Sequence, residues 1–341
     1  MKQIETIHAE GHVICHDITV IIKDEKKDTA FRKGHIVTKD DIPKLLSLGK
    51  DHLYVWEKTE GMLHENEAAE ILVSVCKNKY MKETPVKEGK IELLADTCGV
   101  FLVDTKRLVE INCLEDVMIA TRHTNQAVKP GDKLAGMRII PLVIEEARMN
   151  AVKKIGAEKP ILEIKPFVRK TAAVVTTGNE VYYGRIQDTF TPVIKEKLEQ
   201  FGVEVLFHEV VPDEDEKILR AIQNSRKSGA DLILCTGGMS VDPDDRTPGA
   251  IQKSGAEVIT YGAPVLPGAM LVLGYYEDNT PILGLPGCVM YAKATVFDLL
   301  LPRVLADVRI DKREIAAMGH GGLCLGCESC HYPNCSFGKG Y

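Results

Sequence analysis

Ala172-Ala173-Val174-Val175 is followed at once by Thr176-Thr177-Gly178-Asn179-Glu180, and this stretch decides the fold class. A second stretch has the same design: Leu232-Ile233-Leu234-Cys235 leads into Thr236-Gly237-Gly238-Met239-Ser240. In both, a short apolar run typical of a buried strand ends in a loop of glycine and hydroxyl residues. Ligands of open α/β sheets bind outside the carboxyl ends of the strands. The sequence therefore predicts an α/β domain whose strand-end loops form a ligand site.

The segment from residue 166 to about 306 alternates between strand and helix patterns. Helices are predicted from Thr191, with Pro192 at the first helical position, and from Asp213, which pairs with Glu216 as a capping box. Further strands are predicted over Val203–Val211 and Pro281–Leu285. Such alternation requires a mostly parallel sheet that is covered on both faces. We therefore predict a three-layer α/β domain over residues 166–311, with helices on both faces of the sheet.

The N-terminal 165 residues lack this alternation. Short apolar runs are separated by charged segments, and helices are predicted over Asp40–Leu48 and Asn66–Lys79. We predict an α+β domain over residues 1–165. After the α/β domain, residues 312–341 form a tail rich in glycine and cysteine without periodicity.

The composition is that of a globular protein, with 45% hydrophobic and 27% charged residues among 341. The formal net charge of −6 argues against binding to nucleic acid. Apolar runs fall short of the ~20 residues of a membrane span, and the N-terminus has no signal-like apolar segment. We therefore expect a cytoplasmic protein that binds neither nucleic acid nor membrane.

The second glycine loop carries the chemistry of a phosphate site. Gly237 and Gly238 let backbone N–H groups approach an anion, and the start of the following helix adds a positive dipole end. Thr236 and Ser240 offer hydroxyl groups. The carboxylates of Asp242, Asp244 and Asp245 would repel a bare phosphate, so they suggest Mg²⁺ between carboxylate and phosphate, or a heterocycle that donates N–H groups.

Other residues extend this candidate site. Glu180 and Asp188 follow the first strand, and a third loop, Leu285-Pro286-Gly287, ends a later strand. The alternative is that Gly237-Gly238 is only a turn and that the aspartates cap a helix. Three loops from one sheet favour a ligand site. A lysine-bearing P-loop and a G-x-G-x-x-G motif are missing, which weighs against an ATPase or a dinucleotide-binding enzyme.

In their order and spacing, these loops resemble the molybdopterin-binding domain shared by molybdopterin adenylyltransferases, molybdopterin molybdenumtransferases and CinA-like nucleotide pyrophosphatases. The resemblance covers about 140 residues and rests on Thr177-Gly178-Asn179-Glu180, Gly184 to Asp188, Thr236 to Val241, Asp245-Arg246-Thr247, Pro267-Gly268 and Leu285-Pro286-Gly287. The N-terminal half resembles the molybdenumtransferase branch through Gly11 to Thr19, Gly34 to Ile42 and Gly131-Asp132.

The resemblance implies a role for each matching position. In the molybdenumtransferase branch, adenylylated molybdopterin binds, molybdate is inserted at the dithiolene, and AMP leaves. Asp245 is then the catalytic acidic residue at the phosphate and Mg²⁺ end. With the loop chemistry above, the candidate ligand-binding residues are Thr177, Gly178, Asn179, Glu180, Asp188, Thr236, Gly237, Gly238, Ser240, Asp242, Pro286 and Gly287.

The sequence also departs from the family pattern. Asn179 stands where the family has an aspartate, so a carboxylate has become an amide. Ala269-Met270 replaces a Lys-Pro pair, which removes a lysine that binds anions. The acidic run Asp242 to Asp245 resembles that of CinA-type pyrophosphatases. Three functions are therefore open: a Mg²⁺-dependent molybdenumtransferase-like enzyme, a non-catalytic carrier or sensor of the molybdenum cofactor, and a nucleotide pyrophosphatase that uses a Mg²⁺-bound water.

The tail carries four cysteines within a dozen residues: Cys324, Cys327, Cys330 and Cys335. Their spacing, C-x2-C-x2-C-x4-C, is close to that of [4Fe–4S] ferredoxins, and zinc is the other candidate. The alternatives are disulfides or free thiols. In a reducing compartment this density favours a metal. Three roles are open for the tail: a structural element, an electron or redox sensor, and a docking piece for a molybdoenzyme or its sulfur donor. The expected protein partners are a molybdoenzyme or other cofactor-assembly proteins, and the family resemblance implies a homo-oligomer.

Overall fold

The computed structural model describes residues 2–22, 26–55, 60–240, 242 and 245–340. The chain folds into two compact units. The first unit consists of residues 1–96, 103–122 and 131–163, and the second of residues 97–102, 123–130 and 164–341. The cysteine-rich tail therefore belongs to the same unit as the predicted α/β sheet.

The first unit mixes small antiparallel sheets with short helices. Its strands are β1 (Lys2–Glu5), β2 (Ile18–Ile22), β3 (Lys26–Phe31), β4 (His52–Val55), β5 (Met62–His64), β6 (Met81–Glu83), β7 (Ile91–Ala95), β9 (Val117–Thr121), β11 (Lys133–Ile139) and β12 (Val143–Glu145). The main sheet has the strand order β6-β7-β11-β9, and three strand pairs, β1-β4, β2-β3 and β12-β5, accompany it. The helices are α1 (Asp41–Ser47), α2 (Glu65–Cys76), α3 (Thr105–Asn112) and α4 (Glu146–Ile155).

The predicted helix over residues 66–79 forms as α2 but ends three residues early. Its buried residues, Ala68, Ala69, Leu72, Val73, Val75 and Cys76, lie on the face that the apolar spacing indicates. The helix ends at Cys76 because Lys77 takes an extended conformation, with ψ of 134°. Glu65 begins the helix after the N-cap residue His64.

The second unit contains the alternating strands and helices of an α/β domain. Its strands are β8 (Gly99–Val103), β10 (Gln126–Val128), β13 (Leu162–Pro166), β14 (Thr171–Thr177), β15 (Glu204–Val211), β16 (Leu232–Thr236), β17 (Glu257–Tyr261), β18 (Val272–Tyr275) and β19 (Pro281–Leu285). Its helices are α5 (Asn179–Tyr182), α6 (Phe190–Glu199), α7 (Asp215–Lys227), α8 (Thr247–Lys253), α9 (Val296–Leu305) and α10 (Lys312–Ala317), with a 3-10 helix over Gly287–Met290.

Within the described residues, six strands form the central sheet in the order β15-β14-β16-β19-β18-β17. The strands β15, β14, β16 and β19 run parallel to one another, and β18 is antiparallel to both of its neighbours. The strands β14, β16 and β19 are buried almost throughout. Continuous apolar strands are expected where helices cover both faces of a parallel sheet, and the predicted α/β fold is confirmed.

Two apolar layers enclose this sheet. On one face, Val174 and Leu234 pack in a core cluster with Ile194 of α6 and Phe297 of α9. On the other face, Val175 and Cys235 pack with residues of α7 and α8. Alternate residues of one strand thus pack in opposite apolar layers, because successive side chains of a strand point to opposite faces of the sheet.

Two helices begin close to their predicted positions, but the predicted capping residues are wrong. The helix α6 begins at Phe190, so that Pro192 is its third residue, and the carboxylate of Asp188 accepts the N–H groups of Phe190 and Thr191. The predicted capping box of Asp213 and Glu216 does not form, because α7 begins at Asp215 and no side chain caps it.

Candidate functional site

The first two glycine loops leave from neighbouring strands. Thr176 at the end of β14 pairs with Thr236 at the end of β16, and Thr236 pairs with Leu285 at the end of β19. The loops at Gly178, Gly237 and Pro286 therefore all start at one edge of the sheet. The structure brings the predicted loops together at the carboxyl ends of three adjacent parallel strands.

Gly237 holds the second loop tightly against the first. Its φ is +84°, and a Cβ atom there would overlap the carbonyl oxygen of Thr177. Gly238 follows with φ of +54°, and a Cβ atom there would lie 3.0 Å from the hydroxyl of Thr247. Both positions need glycine because of backbone conformation and space.

The backbone N–H groups of the first and second loops differ in whether the protein supplies a hydrogen-bond acceptor for them. In the first loop, the N–H of Gly178 donates to the carbonyl of Val211 (3.2 Å), and that of Asn179 to the carboxylate of Asp213 (2.9 Å). Outside the strand ladders, no hydrogen bond of the described residues takes up the N–H of Gly238. A backbone N–H exposed in a glycine turn can bind an anion. The second loop is therefore the one that can receive a phosphate.

The predicted capping box does not form because Asp213 binds the first loop instead. Its carboxylate accepts the N–H of Asn179, and its own N–H reaches the side-chain oxygen of Asn179 at 3.4 Å. This reciprocal pair fixes the first loop to the end of β15. The backbone N–H and the side-chain oxygen of Asn179, a predicted ligand-binding residue, are thus both hydrogen-bonded to Asp213.

Asp188 supports helix α6 and a polar cluster behind the first loop. One carboxylate oxygen accepts the hydroxyl of Thr191 at 2.5 Å and lies 3.7 Å from Nε2 of His208. The hydroxyl of Thr176 lies 3.0 Å from the same nitrogen of His208 and accepts the hydroxyl of Thr236 at 3.3 Å. Asp188 was predicted to supply a carboxylate to the ligand cleft, but its oxygens already have these partners.

Burial, hydrogen bonds and charge shift the pKa values of Asp188 and His208 in this cluster. Burial alone raises the pKa of Asp188, but the hydrogen bonds from Thr191 and Phe190 outweigh it and hold the pKa below its usual range. Burial lowers the pKa of His208, and Asp188 opposes this shift only in part. The side chain of His208 is 27% exposed. The sequence alone did not identify His208, because nothing in the spacing connects it to Thr176.

The acidic segment after the second loop forms a turn of its own. The N–H of Asp242 donates to a carboxylate oxygen of Asp245 (3.2 Å), and the N–H of Asp245 donates to the carbonyl of Asp242 (2.9 Å). Ser240 and Asp242 are exposed and Asp245 is half-buried. Asp244 and Val241 lie outside the described residues.

Glu180 and the third loop also lie at this edge of the sheet. The carboxylate of Glu180 folds back over Gly178, where a Cβ atom would lie 3.0 Å from Oε1. Pro286 is buried, and Gly287 begins the 3-10 helix in which the sulfur of Met290 accepts the hydroxyl of Thr189 at 3.0 Å. Met239 of the second loop packs against Gly284 of β19.

The described residues do not gather metal ligands at this edge or in the tail. Among the residues that the structure describes, no group of three or more His, Cys, Asp or Glu side chains is arranged to hold a metal ion. All ten cysteines, which lie in the described ranges, carry free thiols. The Mg²⁺ ligand Asp245 and the cysteine ligands of the tail therefore stay predictions.

Comparisons with known proteins find matches in both units. Residues 173–306 match the family model described as "Probable molybdopterin binding domain". Residues 3–57 match a model described as "Domain of unknown function (DUF8806)". In the described part of the chain, every helix is too short or too polar to span a bilayer.

The curated relatives match parts of the chain. A competence-damage inducible protein of Bacillus cereus (strain AH187) is 33% identical over 95 residues, which are 28% of this chain and 23% of that protein. A molybdopterin molybdenumtransferase of Haemophilus influenzae is 29% identical over 192 residues, covering 54% of this chain and 45% of its own length. The chain thus spans less than half the length of these two relatives.

The solved structures resemble a part of this chain that amounts to about two fifths of its length. The molybdopterin biosynthesis Mog protein of Mycobacterium ulcerans has 30% identity and a TM-score of 0.33, and the match covers 41% of this chain and 93% of that one. The tungsten cofactor synthesizing protein MoaB of Pyrococcus furiosus has 19% identity and a TM-score of 0.35, with coverage of 42% and 99%.

Proposed function

Because residues 173–306 form a domain of the molybdopterin-binding family of molybdenum cofactor biosynthesis, we propose that the chain binds molybdopterin or adenylyl-molybdopterin. The phosphate of the ligand lies against Gly237 and Gly238, and the pterin lies among the three strand-end loops. The second loop is the candidate for the phosphate that this role requires.

One observation carries this proposal. The N–H of Gly238 has no acceptor outside the strand ladders among the described residues, and Gly238 lies beside the buried hydroxyls of Thr177 and Thr247. A phosphate oxygen that accepts this N–H group would supply the missing partner. The first loop does not compete, because the N–H groups of Gly178 and Asn179 are already bonded.

The acidic turn is the candidate for Mg²⁺. Carboxylate oxygens are the ligands that Mg²⁺ prefers, so the donor set of Asp242 and Asp245 fits this ion. Mg²⁺ bound there would neutralise phosphate charge next to the second loop. Asp245 is the better placed of the two, since it is half-buried and immediately precedes Arg246 and the N-terminus of α8.

Two versions of the function remain distinct. In the enzyme, the two dithiolene thiols replace one oxo ligand of molybdate, which leaves as water. A second water molecule cleaves the phosphoanhydride bond of adenylyl-molybdopterin, so that the phosphate stays on the pterin and AMP leaves. In the carrier or sensor, the pterin is bound without turnover and is passed to a molybdoenzyme or another assembly protein. The neutral Asn179 and its engagement with Asp213 favour the carrier, because Asn179 then brings neither a charge nor an unused backbone N–H group to the ligand.

An AMP-release assay separates the two versions. Wild-type protein is incubated with adenylyl-molybdopterin, molybdate and Mg²⁺, and AMP and bound pterin are quantified. An enzyme releases AMP, and Asp245→Asn slows the release about 100-fold. The control Asp278→Asn, in the turn before β19 at the opposite end of that strand, releases AMP at the wild-type rate. Pterin binding without AMP release identifies the carrier, and absence of pterin binding contradicts the whole proposal.

The pyrophosphatase is a second candidate, and the acidic turn of Asp242 and Asp245 favours it. If the chain hydrolyses a nucleotide diphosphate, Mg²⁺ supports release of a mononucleotide from ADP-ribose without pterin or molybdate. Asp245→Asn abolishes this release as well. Turnover of ADP-ribose together with failure to bind pterin would replace the molybdopterin proposal by this one.

A further inference from the structure

All four cysteines of the tail lie within one closed loop. The N–H of Gly338 donates to the carbonyl of Gly321 at 2.9 Å, which joins the two ends of the loop. Gly338 packs so closely on α9 that a Cβ atom would overlap the side chain of Leu299. The loop from Gly321 to Gly338, which we call the cysteine loop, is therefore fixed at its base.

The chain at the start of the cysteine loop is also fixed. The N–H of Leu266 donates to the carbonyl of Gly322, and the N–H of Cys324 donates back to the carbonyl of Leu266, both at 2.8 Å. At the other end, Phe337 is buried and Tyr332 donates its hydroxyl to the carbonyl of Asp298 of α9 at 3.0 Å. The loop is thus anchored to the α/β domain on both sides.

The cysteines divide into an anchored pair and an exposed pair. Cys324 and Cys335 are half-buried and pack against the apolar core cluster that includes α9. Cys327 and Cys330 are exposed.

The anchored pair stands next to the base, and the exposed pair occupies the tip. Gly326, which lies between Cys324 and Cys327, has φ of +66° and open space around it. The C-x2-C spacing of these two cysteines is typical of pairs that bind one tetrahedral metal.

The cysteine loop lacks the usual means of holding its tip in place. Among its described residues the cysteine loop contains no helix or strand. Phe337 is its one large buried side chain there, and Tyr332 is half-buried. Leu325, near the tip, is 75% exposed. Short segments without a core of their own are commonly held by disulfides or metals, and these thiols are free.

From these observations we infer that the cysteine loop binds one thiophilic metal centre, a zinc ion or an iron–sulfur cluster, through Cys324, Cys327, Cys330 and Cys335. Cys324 and Cys335 lie on the fixed base, and binding draws the exposed Cys327 and Cys330 toward them. Each thiol that becomes a ligand loses its proton, so binding releases protons and orders the tip. This inference does not depend on pterin binding.

The test uses the full chain, purified without oxygen from cells supplied with zinc and iron, and measures zinc, iron and acid-labile sulfide per chain. We expect about one zinc without visible colour, or iron with sulfide and a brown chromophore. Cys327→Ser and Cys330→Ser lower the bound metal at least tenfold. Cys98→Ser, which removes an exposed thiol of the same unit outside the loop, keeps the wild-type content.

Thiol alkylation gives a second readout that does not depend on copurified metal. Far-UV circular dichroism first establishes that each variant is folded. In the metal-loaded chain, Cys327 and Cys330 react at least tenfold more slowly with iodoacetamide than after removal of the metal by a chelator, while Cys98 reacts equally fast in both. The inference is overturned if reconstituted wild type binds no metal, if both serine variants keep it, or if the four cysteines form disulfides in the protein as purified.

Discussion

The hydroxyl oxygens of Thr177 and Thr247 lie 3.1 Å apart, although 70 positions separate the two residues in the chain. Thr177 is 3% exposed and Thr247 is fully buried. The pair joins the end of β14 to the first residue of α8, and Gly238 lies against both hydroxyls. This contact connects the first loop to the second and sets the position of the Gly238 amide that we assign to the phosphate.

Replacing Thr247 by valine tests this connection. The change keeps the shape of the side chain but leaves the buried hydroxyl of Thr177 without this partner, so the free energy of unfolding should fall by about 1–2 kcal/mol. Affinity for molybdopterin should fall about tenfold, because the second loop is held less firmly. Urea unfolding and calorimetric titration measure the two effects. Thr247→Ser, which retains the hydroxyl, should bind as wild type, and equal binding by the valine variant would speak against the connection.

Gly237→Ala should damage both stability and binding. The new Cβ atom would overlap the carbonyl of Thr177 at a φ that disfavours side chains, so we expect a loss of about 2 kcal/mol or more in the free energy of unfolding. Gly249→Ala is the matched control, since Gly249 lies in α8 with open space around it and ordinary φ. There alanine should be neutral or stabilising by up to about 1 kcal/mol. Similar destabilisation by both changes would contradict the close approach of the loops.

Arg169 is predicted to be a main stabilising residue of the second unit. Its guanidinium donates to the carbonyls of Val304, Asp231 and Asn279 at 2.8–3.1 Å, and its side chain is 13% exposed. Arg169→Met leaves the carbonyls of Asp231 and Asn279 without this donor and removes the ion pair with Asp307, so it should cost about 3 kcal/mol. Arg185→Met, at an exposed arginine 5.4 Å from the ring of Tyr183, should cost less than about 1 kcal/mol. Equal costs in urea unfolding would show that the groups bound by Arg169 find other partners.

The first unit should lose stability as the pH falls below about 6.5. His64 is buried and its Nε2 lies 2.7 Å from the carbonyl of Cys15, while Nδ1 lies 2.9 Å from the ammonium of Lys33. Burial lowers the pKa of His64, and the charge of Lys33 lowers it further. Because the unfolded chain then binds the proton more readily, the contribution of His64 is complete above its unfolded pKa and declines below it.

The measurement compares the free energy of unfolding at pH 7.5 and pH 5.5. Wild type should lose more than His64→Gln, which cannot titrate. A residual loss is expected in that variant, because burial also lowers the pKa of His16. His52→Gln, at an exposed histidine of β4, should behave as wild type. A loss in His64→Gln as large as that of wild type would remove His64 as the cause.

The sequence was sufficient for the α/β fold, because burial of a parallel strand on both faces leaves a continuous apolar run such as Ala172–Val175. It also located the loops at Gly178 and Gly237, since glycine directly after an apolar strand is typical of a tight turn with positive φ. It was not sufficient for the roles of Asp188 and Asp213. Both are short acidic residues near a helix start, and only the tertiary structure shows that Asp188 caps α6 while Asp213 binds the loop at Asn179.

The most direct test of the central claim is hydrogen–deuterium exchange with and without saturating molybdopterin. The N–H of Gly238 has no acceptor outside the strand ladders of the described chain, so it should exchange fast in the unliganded protein and slowly once a phosphate accepts it. Peptides covering 236–240 should gain protection, whereas those covering 178–183 should change little. Binding with protection confined to other segments, or no binding at all, would contradict the assignment of the phosphate to this loop.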